Sequence, residues 1–497
     1  MNTSRFIPPT GRRERHEGSP GRVSGTGSSQ PSGRGRRFAL VVTLGIGAAL
    51  SHLLLPGAAS AQSGSGRSAP SLTLAEVVTA ALEHHPSVRA ATARLEAQSA
   101  QGRIARAARI PTLYSAGQFT RYQEPMVVAP FHGLDLTNPP LFDETLIQGQ
   151  VGLQYTVFDG GARRARIRGA DELRAMSESR REATRQDLIA QVSGAFLGVV
   201  QARRVREAAR RQVEALAAER DRARQGLEQG TVARVAVLRA DAALRDAEAR
   251  LASAQARTGV AERNLSRLTG MNADDIDAAR LTPPPPPAGE ATPDHAESPA
   301  REVSAALEAA SPELAAASSA VEAARSRVRQ EKARLLPSLA ADAGLMTFGS
   351  GSGDFTTEWR AGIQLSWPVF TGGARVGAIR RAEAEARAAR EDLALARLEV
   401  AGFVDAARAA VEEADARARA LAAAVAQWEE VARIEALSLR EGAAVQSDYL
   451  RAEASLFQAR AGLAGARNDQ ILARVRLARA LGRLTPEWLH TSLEIQP

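Results

Sequence analysis

The feature that most limits what this chain can become is an internal duplication. Leu153-Gln-Tyr-Thr-Val-Phe-Asp-Gly-Gly161 recurs as Leu365-Ser-Trp-Pro-Val-Phe-Thr-Gly-Gly373, 212 residues later. Gly230 and Gly442 keep that offset, as do Leu238-Arg239-Ala240 and Leu450-Arg451-Ala452. Upstream, Pro86 and Pro111 answer Pro312 and Pro337 at an offset of 226, so one unit of roughly 190 residues is used twice, with 14 extra residues in one loop of the first copy.

The duplication preserves a helical seam. Val400, Val404, Ala407, Val411, Ala414, Ala418, Leu421, Val425 and Trp428 alternate steps of four and three. Leu188, Val192, Ala195, Val199, Ala202, Arg206, Ala209, Val213 and Leu216 hold the same register in the first copy. After the glycines a second seam runs from Val237 to Leu268, matched from Tyr449 to Ala480. A sustained 3.5-residue period winds helices into a left-handed supercoil, and alanine in alternate seam positions lets them approach closely. A helix from Ala162 to about Gln225 would be about 95 Å long at 1.5 Å per residue. Shorter helical segments, Leu74–Ala108 and Ala300–Arg334, open the two copies.

Between these helices the period changes to two. In Trp359–Val369 the apolar residues Trp359, Ala361, Ile363, Leu365, Trp367 and Val369 alternate with Arg360, Gly362, Gln364 and Ser366; in the first copy Ile147, Val151, Leu153, Tyr155 and Val157 alternate with Gln148, Gln150, Gln154 and Thr156. Weaker strands, Leu113–Tyr122 and Leu339–Phe348, begin just after Pro111 and Pro337, which end the preceding helices. The strand lengths and the alternation suit a membrane barrel with an apolar outside and a polar lumen. Tyr114, Phe119, Tyr122, Tyr155, Phe158, Phe348, Phe355, Trp359 and Trp367 cluster in these segments, as interfacial girdles require. Four strands cannot close a barrel, and an open edge is not tolerated in lipid. One chain must therefore join others.

The N-terminus supplies a route to a membrane. Residues 1–37 lack periodicity and read as disordered; Arg34, Arg36 and Arg37 then precede an apolar stretch from Phe38 to Leu55, followed by Ala59-Ser60-Ala61. This reads as a cleaved secretory signal, with a retained anchor as the alternative. It also explains the formal charge of +8: residues 1–61 hold eight arginines and two glutamates, leaving about +2 for the remainder. A nucleic-acid partner is not expected.

The chain accordingly divides into a leader with signal peptide (1–61), a first repeat (72–270), a proline-rich linker (271–299) containing Pro283 to Pro287, a second repeat (300–485) and a C-terminal tail (486–497).

The order signal, helix, strand, strand, long helix, glycine turn, helix, repeated twice, with Phe158-Asp-Gly-Gly161 and Phe370-Thr-Gly-Gly373 closing the second strands, resembles the TolC-like outer-membrane efflux proteins, or outer membrane factors. The resemblance implies a mainly α fold with a membrane β-barrel. Three copies would each give four strands to a twelve-stranded outer-membrane barrel, and long antiparallel coiled-coil helices would form a periplasmic α-barrel. It further implies that the protein is a passive exit duct for small molecules, partnered by a periplasmic adaptor and an inner-membrane transporter and embedded in outer-membrane lipid.

Site residues follow by position. Gly160, Gly161, Gly372 and Gly373 make the strand-to-helix turns. The resemblance places Gly230, Thr231, Leu238, Gly442, Ala443 and Leu450 at the periplasmic tips, where the adaptor would dock. In the protein that names the family, an aspartate six residues after the second-repeat glycine and another three later form the constriction. Asp448 matches the first, but Arg451 stands at the second, and the first-copy equivalents are Ala236 and Arg239. Asp448, Arg451 and Arg239 are therefore the candidate tip gate, of mixed charge.

No catalytic, cofactor-binding or metal-binding residues are expected. No Walker motif, HExxH helix or nucleophile elbow occurs, the adjacent His84 and His85 cannot face one ligand from a helix, and the absence of cysteine removes thiolate chemistry and an N-terminal lipid anchor. The rival from another class is a non-transporting periplasmic coiled-coil protein; within transport, a metal-efflux or protein-secretion duct is the alternative.

Overall fold

The structure is a computed structural model, and it describes residues 71–128, 141–284, 307, 310–353 and 355–494. The leader and signal segment, and most of the proline-rich linker, lie outside the described residues. A short strand β1 (Ser71–Thr73) leads into α1 (Leu74–His84). Helix α2 (Pro86–Ala107), strands β2 (Thr112–Val127) and β3 (Phe142–Phe158), and helices α3 (Ala162–Glu228) and α4 (Arg234–Thr269) complete the first copy. A short α5 (Ala273–Ala278) and β4 (Arg280–Thr282) follow. The second copy contains α6 (Pro312–Ala333), β5 (Ser338–Gly349), β6 (Phe355–Ser366), α7 (Ala374–Arg440) and α8 (Gln446–Ala480), and α9 (Pro486–Leu489) then runs into a π-helical turn (His490–Glu494).

Helices α3 and α7 have 67 residues each, which is about 100 Å of helix. α3 packs against α4 and α8 as well as α2 and α6, and α8 packs against α7. The four long helices therefore lie side by side in the order α4, α3, α8, α7. The seams are where the 3.5 period puts them: Val400, Val404, Ala407, Val411, Ala414 and Ala418 are buried on α7, and Ala240, Leu244, Ala247, Ala254 and Thr258 on α4. Trp428, at the far end of the α7 seam, is 38% exposed.

The largest core forms where α3 is covered on more than one side. Ile189, Phe196, Leu197 and Val200, which lie off the seam, are buried with Leu74, Val77, Val78, Leu265, Ile276, Ile471, Val475, Leu484 and Leu489. Two readings of the sequence are corrected here. Residues 271–299 are not linker throughout, since α5 is capped by Asn272, buries Ile276 and is followed by β4, which pairs in parallel with β1. The segment after residue 485 is not a free tail, because Leu489 and Leu493 are buried in the same core.

Strands β2, β3, β5 and β6 form one antiparallel sheet in that order, so the two hairpins meet at β3 and β5. β2 and β6 are its edges. In the register, Leu113 faces Leu153, Val151 faces Leu345, Leu345 faces Trp359, and Ala341 faces Ile363. Directly opposed residues share a face, so these make one apolar face. The other face carries Gln118, Gln148, Gln150, Gln154, Asp342, Arg360 and Gln364. Tyr114 and Phe348 depart from the expected girdle, for their parity places them on this polar face, opposite Gly152 and Gln148. The Tyr114 ring occupies the space a side chain on Gly152 would need. β6 stops at Ser366, short of the expected Val369, because Pro368 has no N–H to extend a ladder. β2 and β3, of 16 and 17 residues, are longer than β5 and β6, of 12 residues each.

Candidate functional site

The membrane-type sheet is the first element of the site. Its apolar face is bare in the single chain, with Phe119, Trp359, Ile363 and Leu365 all well exposed and Ile363 at 75%. On the opposite face Arg360 and Asp342 form a loose ion pair at 3.9 Å, with both side chains open to solvent. Among the described residues no helix is long and apolar enough to cross a membrane.

The glycine pairs turn the chain from sheet to helix. Gly160, Gly161, Gly372 and Gly373 have φ of 64°, 90°, 59° and 83°, a region that suits residues without a Cβ. Gly160 has a second reason to be glycine, since a Cβ there would lie 2.6 Å from the Ala333 carbonyl. Asp159 caps α3 by accepting from the N–H groups of Gly161 (3.1 Å) and Arg163 (2.8 Å). Arg163 then donates to the carbonyls of Ala108 and Thr156 and lies over the Tyr155 ring, tying helix ends to the sheet. Pro111 and Pro337 each stand one residue before a strand, after a tightened final turn in which Ile110 N–H donates to Ala107 and Leu336 N–H to Ala333.

At the other end of the long helices the two turns have the same construction. Gly230 (φ 71°) and Gly442 (φ 74°) occupy the left-handed position after the helix end. The next two N–H groups fold back onto one carbonyl, Thr231 and Val232 onto Gly226, and Ala443 and Ala444 onto Ser438. This is the glycine-terminated helix stop. The copies compensate in size. Gly226 has no room for a Cβ because Val232 lies over it, whereas Ser438 in the second copy faces the smaller Ala444.

Asp448 and Arg451 are brought together one helical turn apart, with Arg451 Nη1 donating to Asp448 Oδ1 at 3.2 Å. The Arg451 side chain is 80% exposed. Arg239 is exposed on α4 with no carboxylate partner among the described residues. Leu238 is exposed, while its counterpart Leu450 packs against the Leu216, Leu244 and Ala247 cluster and so joins the two copies.

Position matching overlooked a polar link between copies beside this end. Gln446 Nε2 donates to Glu219 Oε1 at 2.8 Å, and Arg222 pairs with the other oxygen of Glu219 at 3.3 Å. Tyr449 is buried beside them; burial, then the Glu453 charge, pushes its phenol up to about 12. Burial also raises the Glu453 carboxyl, against the pull of Arg460. A tyrosine where the first copy has Val237 was the one visible sign of this link.

With this geometry in place, the matches to known proteins are decisive. The family model for the outer membrane efflux protein matches residues 77–271 and 303–483. The chain belongs to that family. It is 26% identical over 358 residues to the outer membrane efflux protein BepC of Brucella suis, covering 69% of this chain and 74% of that protein. Its fold matches the outer membrane protein VceC of Vibrio cholerae (TM-score 0.68, 21% identity, 82% of this chain and 96% of that one). It also matches the open state of the MtrE outer membrane channel of Neisseria gonorrhoeae (TM-score 0.65, 23% identity, 83% and 90%). The fold is therefore that of an outer-membrane efflux channel, with long helices for a helical barrel and strands for a β-barrel.

Proposed function

We propose that three copies of this chain close their sheets into one twelve-stranded barrel in the outer membrane, and that the helices continue it as a duct through the periplasm. The observation that carries this reading is the four-stranded sheet itself, apolar and exposed on one face, lined with glutamine on the other, and open at β2 and β6. Unpaired strand edges cost several kcal/mol per unsatisfied group in hydrocarbon, so closure needs neighbours. Export of the chain uses the N-terminal signal.

In this reading the duct is passive. Small molecules reach it from an inner-membrane transporter through a periplasmic adaptor, which contacts the tips at Gly230, Thr231, Leu238, Gly442, Ala443 and Leu450. Asp448, Arg451 and Arg239 line the closed tip and set its ion preference. The transporter, not the duct, selects the cargo, and the glutamine-lined sheet is consistent with a wall that does not discriminate. The experiment is drug accumulation in cells lacking the gene and complemented with it. Restored efflux supports the duct; unchanged accumulation alongside a correctly inserted protein would favour a scaffold.

A further inference from the structure

Outside the tip and the sheet, one groove on the helices stands out by its charge. It has a volume of about 950 Å³ and is lined by Arg203, Arg204, Arg211, Arg280, Arg460 and Arg467, with Glu207 as its single acidic residue. Three of the six arginines are neutralised locally. Arg203 holds Glu262, Arg211 donates to Glu207, and Arg460 binds Glu429. Arg204, Arg280 and Arg467 have no carboxylate partner among the described residues. Other arginines on these helices are paired one turn away, as in Arg210–Glu214 and Arg250–Asp246. What sets this groove apart is that three guanidiniums without a carboxylate partner among the described residues converge on it.

Like charges gathered this way repel one another. Arg204 is half-buried, and its affinity for the proton is lowered first by burial and then by Arg467. The cost is relieved when an anion enters. The groove also lies within one chain. It runs between α3 and α8, the two inner helices of the order α4, α3, α8, α7, so the outer helices remain available to neighbouring copies. Arg280 comes from β4, on the side where α5 and the short strands pack over α3.

We infer that this groove binds a multivalent oxyanion, with phosphate or carboxylate groups close enough together to meet two guanidiniums at once. Arginine suits that task because its planar fork donates two parallel hydrogen bonds to such groups. Sodium pyrophosphate is the probe, titrated calorimetrically into the full-length protein purified in detergent. The expected result is saturable binding, weakened about tenfold or more in Arg204→Ala/Arg467→Ala, since each lost charge-assisted contact is among the stronger kinds of hydrogen bond. Arg387→Ala/Arg390→Ala removes the same charge from the exposed side of α7 and should leave binding unchanged. Two sources could supply such groups, a soluble anion or an acidic envelope polymer. Co-sedimentation with purified peptidoglycan sacculi separates them: loss of sedimentation in the Arg204/Arg467 variant, and competition by pyrophosphate, assigns the polymer, while pyrophosphate binding without sedimentation assigns a soluble ligand. Absence of saturable pyrophosphate binding, or equal weakening in both double variants, overturns the inference whether or not the protein supports efflux.

Discussion

Arg203 and Asp415 occupy the same position in the two copies and carry opposite charges. Each is paired across its helix hairpin, Arg203 with Glu262 at 2.8 Å and Asp415 with Arg474 at 2.9 Å, and the partners are themselves equivalent and inverted. All four side chains are less than one-fifth exposed. The inversion matters in a duplicated chain, where α8 resembles α4 closely enough to compete for α3. Had α8 taken the place of α4, Arg203 would face Arg474. Had α4 paired with α7, Asp415 would face Glu262. Mispairing thus buries like charges, a penalty that specifies partners even where the pairs add little net stability.

Breaking one pair should be costly. Asp415→Asn leaves the Arg474 guanidinium largely buried without its carboxylate, and a loss of about 3 kcal/mol is expected. Asp415→Arg should be worse, and Asp415→Arg/Arg474→Asp should recover most of the loss. Thermal unfolding of the three variants checks the order; equal stability of Asp415→Arg and the double variant would show that the pairing carries no specificity.

Acid should act through the same group. Burial alone would raise the Asp415 carboxyl, but hydrogen bonds from Arg474 and Gln470 outweigh it and hold the carboxyl below its ordinary range. Its contribution is therefore present above the unfolded value, about 3.9, and is lost as the pH falls through the depressed folded one. Glu313, which accepts from Arg479, is lowered likewise and loses its contribution in the same direction. A pH series of melting temperatures should fall on the acid side, and the fall should be shallower in Asp415→Asn.

Much of this architecture was legible from the chain because it is periodic. The seams, the alternation of β3 and β6 and the repeated glycines each involve many residues that agree on one period. What escaped was short or held from a distance. α5 and β4 have six and three residues, too few for a period, and they are fixed by Arg203, which donates to the carbonyls of Ile276, Asp277 and Ala279. The link through Glu219, Gln446 and Tyr449 was equally hidden, since it joins residues more than 200 positions apart.

The two glycines of the first strand-to-helix turn should respond differently to substitution. Both have positive φ, but a Cβ on Gly160 would strike the Ala333 carbonyl and Leu336, while one on Gly161 meets nothing within 4 Å. Gly161→Ala should cost about 1–2 kcal/mol from backbone strain alone, and Gly160→Ala measurably more. Equal melting temperatures would show that the packing against α6 is not tight.

Gly442→Val tests the tip. The side chain has open space but an unfavourable φ, so the helices should remain and the turn should deform. Export should fall sharply while trimers still assemble; loss of trimers would assign the glycine to folding alone.

Asp448→Ala/Arg451→Ala tests the gate. Removing the exposed ion pair should change single-channel conductance and ion preference in a planar bilayer. Unchanged values would take these residues out of the constriction.

The central claim is that β2 of one copy closes on β6 of the next, and the lack of native cysteine makes it directly measurable. Cysteines placed singly along residues 114–120 of β2 and combined with single cysteines along 358–364 of β6 will, under oxidation in the outer membrane, report which positions touch. One register should yield closed covalent trimers that run as a single band and revert to monomers on reduction. Failure of every pair to link, or ladders of links that stop at dimers or continue beyond three, would contradict the barrel.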